Sequence, residues 1–525
     1  MKKQILISLA SFILSFPLSA QLKQGILAIG GSANEDGYSI VQSADGGYAM
    51  AGYTRTYGAG GWDMYVVKWD SAGNLKWSNA IGGTNTDRAY CLTNSTDGGY
   101  AVVGSTMSFG AGLEDVYVVK LDKSGNVKWT KTIGGGGTDV GHSIIQTTDG
   151  GYAITGSTAS FRTGYSDVYA VKLDSLGNLK WTKTIGGMGN NNGNSIIQTR
   201  DGGYAIGGNT DTSGNTGRND MYLVKLDATG NLKWTKTIGG VLDDGANSVI
   251  QTSDGGYTLA GTTNSFGAGG YDMYVVKLDS TGNLKWTKTI GGSGSEAATS
   301  LVHTPDGGYV VTGATTSFGA GQDDAYLIKL DSAGNLKWTN TVGGPNNEEG
   351  EAVILCADGG YAVGGTTSSI SVGGDDFLFA KFDNSGNTCI PRTSGGTAGS
   401  GGAVGSGGIT GSGGTTSSGG TAASGGTNTN YCNVVTGMEN DILANKITVY
   451  PSPSTGVFTI SLPDSPKNNI VEIYDARGQK VNRKSFISNY PVSVDLSNLP
   501  NGVYFYLVTD AAGKMIGKGK MVLQK

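Results

Sequence analysis

The sequence predicts an all-β protein: a seven-bladed β-propeller with four-stranded blades, followed by a C-terminal Ig-like β-sandwich. Three observations carry this reading. Asp-Gly-Gly-Tyr begins at Asp45, Asp97, Asp149, Asp201, Asp254, Asp306 and Asp358, with successive spacings of 52, 52, 52, 53, 52 and 52 residues. A fixed period of that size marks a repeat architecture. Each unit holds four short runs rich in Val, Ile, Tyr, Trp and Thr, as pleated and packed surfaces prefer, with no helical 3.6 period. The seventh unit lacks its fourth run, and the N-terminal segment offers a spare one.

Residues 1–20 read as a secretory signal. Lys2 and Lys3 precede an apolar run from Ile5 to Phe16, and Pro17-Leu18-Ser19-Ala20 gives a small-residue exit. The run is too short to span a bilayer and no second one follows, so the mature protein is expected to be exported and not membrane-spanning.

Residues 21–392 are assigned to the propeller. In the third unit the strands are expected at Ser143–Thr147, Tyr152–Ser157, Asp167–Leu173 and Leu179–Ile185. Asp149-Gly150-Gly151 supplies the positive φ of a tight hairpin, and Ser175-Leu176-Gly177-Asn178 closes the last pair in the same way. In the seventh unit Thr388-Cys389-Ile390-Pro391-Arg392 stands where the others continue Leu-Lys-Trp-Thr-Lys. Leu22–Gly31 aligns with a fourth strand through Ile29-Gly30-Gly31, so the N-terminal strand is expected to close blade seven. A closed ring also removes exposed sheet edges.

Residues 393–430 are almost only Gly, Ser, Thr and Ala. The stretch 393–440 is therefore read as a flexible linker. Residues 441–525 return to globular composition, with strand-like runs at Ile447–Tyr450, Val457–Ser461, Ile470–Tyr474, Val481–Phe486, Val492–Leu496, Val503–Val508 and Lys520–Leu523.

Ile447–Ile460 (I-T-V-Y-P-S-P-S-T-G-V-F-T-I), Val471–Val481 (V-E-I-Y-D-A-R-G-Q-K-V), Leu499–Val508 (L-P-N-G-V-Y-F-Y-L-V) and the terminal K-M-V-L-Q-K resemble the type A C-terminal sorting domain of the bacterial type IX secretion system. Ser452 stands where that family usually has Asn. The resemblance implies export across the outer membrane of a Bacteroidetes-like bacterium by the type IX machinery, ending in release or surface attachment. The repeats resemble secreted bacterial and archaeal propellers marked by D-G-G-Y and G-N-x-x-W. Their D-x-x-G-N-L-K-W element also resembles the blade motif of quinoprotein dehydrogenases, which implies a fold and not a cofactor.

Composition narrows the function. A net charge of −5 without a basic face argues against nucleic acid. Only His142 and His303 are present, and there is no G-x-S-x-G, H-E-x-x-H or P-loop, so no catalytic residue, metal or cofactor is assigned. Glu351 with Glu348 or Glu349 is the only arrangement resembling a glycosidase pair. Cys91 and Cys356 read as buried thiols; Cys389 and Cys432 bracket the linker and are candidates for a disulfide.

The repeated Trp, Tyr and Asp residues read as packing and turn residues. Two other columns are candidate sites. Glu35, Asp87, Asp139, Asp244, Glu296 and Glu348 (Asn191 in the remaining unit) stand four residues after the last Gly of each Ile/Val-Gly-Gly. They form either an electronegative, cation-attracting rim or a set of loop-capping carboxylates. Three residues on, Tyr38, Tyr90, His142, Asn194, Asn247, Thr299 and Glu351 are all polar or aromatic and vary among the units. This mixture suits a glycan or protein ligand at one face of the ring. The expectation is a monomeric, non-enzymatic protein of the cell surface or medium. The alternatives are an extracellular polysaccharide-degrading enzyme and a scaffold without a ligand.

Overall fold

The computed structural model describes residues 25–388 apart from 163, 212–218 and 372, six short strands between 397 and 430, and residues 448–525 apart from 451–453, 462–467, 476–478, 488–491 and 511–514. The N-terminal segment 1–20, Cys389 and Cys432 lie outside the described residues. Every regular element among the described residues is a β-strand. The chain divides into two units, Met1–Cys432 and Asn433–Lys525.

The first unit holds seven four-stranded antiparallel sheets. In the third repeat the strands are Asp139–Gln146, Tyr152–Thr158, Asp167–Leu173 and Leu179–Gly186. The first strand starts four residues before the expected Ser143. Its ladder continues past a β-bulge, with His142 left between Gly141 and Ser143 in the pairing. Gly150 and Gly177 both have φ of 80°, the left-handed conformation their hairpins require.

The repeated residues build the core. Tyr152 and Tyr169 are buried. The ring of Trp129 meets Tyr152 of the next sheet edge-on at 6.0 Å, and the corresponding pairs recur at later junctions. A lysine lies buried in every third strand. Lys172 Nζ donates to Leu173 O at 2.9 Å and pairs with Asp149 of the Asp-Gly-Gly turn at 2.9 Å. That carboxylate is drawn down to about 2: its burial would raise it, but bonds from Thr147, Lys172 and the Gly151 N–H lower it further. In the other turn, Asp174 accepts the N–H groups of Leu176 and Asn178.

The strand Gly25–Gly30 pairs antiparallel with Asp376–Phe382, with Ile29 opposite Phe377, and so supplies the fourth strand of the seventh sheet. Sheet seven also bonds to sheet one as the other neighbours bond to each other: Glu35 N donates to Asp375 O at 2.6 Å, as Asp139 N does to Glu114 O at 2.7 Å.

The segment 393–430 departs from the flexible coil expected of its composition. Strands Thr397–Gly399, Ala403–Gly405, Ile409–Gly411, Thr415–Ser417, Thr421–Ala423 and Thr427–Asn430 begin every six residues. They add a fifth strand to sheets five, four, three, two, one and seven, in that order. In the first five, the leading residue of the short strand pairs with the first Gly of the Ile-Gly-Gly mark, as Thr397 does with Gly291 and Thr421 with Gly82. The physical reason is that an outer strand presents unpaired N–H and C=O groups, which a chain needs no large side chains to satisfy.

In the second unit, Thr448–Tyr450, Val457–Ser461 and Val492–Asp495 form one sheet. Lys480–Ile487, Asn468–Tyr474, Gly502–Asp510 and Met515–Leu523 form the other. Phe458, Ile460, Val494, Val471, Ile473 and Val508 bring both sheets into one core.

Candidate functional site

The geometry of the candidate site starts from the bulge. In the first strand of every one of the seven sheets the pairing skips one residue: 38, 90, 142, 194, 247, 299 and 351. A bulged residue is released from the ladder and its side chain re-aimed. These are the seven positions whose identity varies among the units, and the structure brings them into one continuous line.

Tyr38 and Tyr53 join hydroxyls at 2.9 Å. Tyr38 meets Tyr90 edge-on at 5.5 Å, and Tyr90 meets His142 at 5.8 Å. From there each side chain bonds to the backbone of the next sheet. His142 Nδ1 donates to Gly193 O at 3.1 Å, Asn194 Nδ2 to Ala246 O at 2.9 Å, Asn247 Nδ2 to Ala298 O at 2.8 Å and Thr299 Oγ1 to Gly350 O at 2.5 Å. Burial holds the His142 imidazole below its usual pKa and so neutral. These four polar groups are occupied in holding neighbouring sheets together.

Glu351 ends the line in an acidic corner. Burial, then the neighbouring Glu349 charge and hydrogen bond, push Glu351 up to about 8. Asp36 is raised to about 6, first by burial and then by Asp375. Glu349 is the neighbouring acid that acts most strongly on Glu351. The Glu348 carboxylate is spent elsewhere, on the Gly344 N–H and the Thr367 hydroxyl.

The second column is corrected by the structure. Glu35, Asp87, Asp139, Asp244, Glu296 and Glu348 are buried and form no solvent-facing rim. Each Oε2 or Oδ2 accepts the N–H of the second Gly of the Ile/Val-Gly-Gly mark, as Glu296 does from Gly292 at 2.7 Å. Glu296 also accepts the Thr315 hydroxyl and the Ser317 N–H. The sequence spacing could not reveal that the loop folds back over the carboxylate. Among the described residues no group of three or more His, Cys, Asp or Glu is placed to hold a metal ion. Cys91 and Cys356 are free thiols, Cys356 buried and Cys91 only partly so.

Sequence reasoning missed a concavity of about 690 Å³ over sheets four to seven. It is walled by Asn209, Asn219, Tyr271, Asp323, Glu349 and Glu351. Its cause is small residues. The residue after each capping acid is Asp36, Arg88, Val140 and Asn192 in sheets one to four, but Gly245 and Ala297 in sheets five and six. Over sheets one and two the same space is filled: the Arg88 guanidinium lies 5.4 Å from the Tyr53 ring, and Tyr53 meets Trp62 at 5.0 Å. Tyr271, 39% exposed, offers an aromatic face beside amides and carboxylates. The signal was present in the sequence: Asn219, Tyr271 and Asp323 occupy a third column that varies between repeats.

Comparison with known proteins speaks mainly to the second unit. The model of the secretion system C-terminal sorting domain matches residues 448–523. The regulatory protein FlaEY of Caulobacter vibrioides is 29% identical over 143 residues, which are 23% of this chain and 15% of that protein, so the chain spans only a small part of this relative. Among solved structures, Sqt1 from Chaetomium thermophilum is 14% identical, with a TM-score of 0.40 over 69% of this chain and 85% of the other. An endo-1,5-α-L-arabinanase from Thermotoga petrophila is 10% identical, with a TM-score of 0.26 over 67% and 98%. Neither of these two likenesses adds to the description above. The sorting domain supports export by type IX secretion to the cell surface or the medium. Residues 448–523 are a secretion system C-terminal sorting domain, carried behind a repeat-rich all-β body.

Proposed function

We propose that the seven sheets close into a seven-bladed β-propeller, and that this body is a non-enzymatic module that binds an extracellular glycan or protein in the concavity over sheets four to seven. The observation carrying this reading is that the concavity is built from positions that diverge between otherwise near-identical repeats. Asn209, Asn219, Asp323 and Glu349 offer donors and acceptors to hydroxyl or amide groups, and the Tyr271 ring offers a stacking face. The protein reaches the periplasm through the segment 1–20, crosses the outer membrane through its sorting domain and acts as a monomer. Cys389 and Cys432 close a disulfide across the segment between them.

The test is a glycan and surface-protein binding screen with the full chain, repeated with Tyr271→Ala and Asn219→Ala. A ligand retained unchanged, and bound at least tenfold more weakly by both variants, supports the reading. Release of reducing sugar would replace it with the hydrolase. Binding that ignores both variants would move the site elsewhere. For export, removal of residues 448–523 should strand the protein in the periplasm, and normal surface delivery would refute the route.

A further inference from the structure

Six of the seven junctions between successive sheets bring two acidic side chains face to face. One begins a third strand, and the other is the capping residue of the following sheet. At the first junction these are Asp63 and Asp87, 1% and 0% exposed. A Cβ added to Gly82 would touch both Asp63 Oδ1 and Asp87 Oδ2, so the two oxygens share the space a methyl group would fill. The same holds at Gly134 for Asp115 and Asp139, at Gly239 for Asp220 and Asp244, and at Gly291 for Asp272 and Glu296.

The hydrogen bonds around the pair are unequal. Asp87 is saturated with donors: Oδ2 takes the Gly83 N–H and the Ser108 hydroxyl, both at 2.7 Å, and Oδ1 takes the Thr106 hydroxyl. Asp63 Oδ2 takes the Gly60 N–H at 3.0 Å, but its buried Oδ1 receives no hydrogen bond. Two ionised carboxylates in one dry site repel, and an unpaired buried acceptor is costly. One proton on Asp63 Oδ1, donated to Asp87 Oδ2, answers both.

One junction carries an amide in place of the second acid. Asn191 stands where the other sheets have Asp or Glu. Its Nδ2 lies 2.7 Å from the Cβ position of Gly186, where Asp139 Oδ2 lies 2.7 Å from that of Gly134. Asn191 Nδ2 points at Asp167 Oδ1, 3.4 Å away. An amide is the fixed-donor counterpart of a protonated acid, and here it supplies the hydrogen that a proton would supply between Asp63 and Asp87.

We infer that six of the seven sheet junctions each hold one shared proton between paired carboxyl groups, which makes the body a proton-binding fold most stable in mildly acidic surroundings. Asp63, Asp115, Asp272 and Asp324 are raised, in each case first by burial, and Asp220 is raised to about 6 by burial and then by Asp244. The other groups facing the pairs are backbone N–H donors, tyrosines of the adjoining sheet such as Tyr117 beside Asp63 and Asp87, and, at Asp324, the neighbouring Asp323. The sign follows from linkage. These acids bind a proton more tightly folded than unfolded, so stability is lost as pH rises from about 4 through the folded pKa.

Urea unfolding of the full chain at pH 5, 6, 7 and 8 tests this. Asp115→Asn and Asp272→Asn should each gain stability relative to the parent as pH rises, by up to tenfold in the folding equilibrium per pH unit within the titration window. Asn191→Asp should create a seventh pair and show the reverse trend. The inference fails if the variants shift stability equally at pH 5 and pH 8. A midpoint that rises with millimolar calcium in the parent but not in Asp115→Asn would also overturn it, by making the pair a cation site.

Discussion

The two ends of each sheet in the first unit follow opposite rules. At the hairpin end, Asp149, Lys172 and Tyr152 have close counterparts in unit after unit, and each is tied into a turn or the core. At the bulge end, the re-aimed residue changes from Tyr38 to His142 to Glu351, and its neighbours change from Arg88 to Gly245. Repetition therefore marks what every sheet needs to pack, and divergence marks where neighbouring sheets are joined in individual ways and, over sheets four to seven, where a concavity is left open. The difference also explains why the candidate site has no motif: it is made by dissimilarity.

Four changes sharpen or break this contrast. The largest effect is expected from deleting Gly25–Gly30. Ile26, Leu27 and Ile29 are buried, and at about 1.5–3 kcal/mol each their loss approaches the stability of a whole domain. Thermal unfolding should lose its single transition or fall far below the parent. At the hairpin end, Tyr152→Ala should cost about 3–5 kcal/mol in urea unfolding, because the ring is fully buried. At the bulge end, Ala297→Arg should change stability by less than about 0.5 kcal/mol while abolishing ligand retention. It places in sheet six the side chain that Arg88 places in sheet two. The last is a pH effect, in Glu351→Gln. Burial and the Glu349 charge raise the Glu351 carboxyl, so the parent loses stability as pH rises from about 4.5 through the raised value. The variant should gain on the parent steadily in urea unfolding between pH 5 and pH 9.

Much of this was readable in the sequence. The period located the strands, because Asp-Gly-Gly and Gly-Asn turns have one geometry and the runs between them have one length. The bulged column was found because it varies, although the bulge itself was not. The column of acids was left between a rim and a set of loop caps, since spacing alone cannot show the Gly-Gly loop and the Thr315 hydroxyl closing over Glu296. The concavity was invisible because it is defined by what Gly245 and Ala297 leave empty. The strands between 397 and 430 were hidden by composition: a run of Gly, Ser and Thr looks featureless until its six-residue spacing is set against the sheet edges.

The pairing of Gly25–Gly30 with Asp376–Phe382 has a kinetic side. It joins residues as far apart as Gly25 and Lys381, so the seventh sheet is assembled only after the last repeat is available. Contacts of such sequence separation are slow to form, because the intervening chain must first be ordered or its loop entropy overcome. Among the described strands, the earliest in the chain is thus among the last to find its partner, and a body lacking either segment would leave the seventh sheet one strand short.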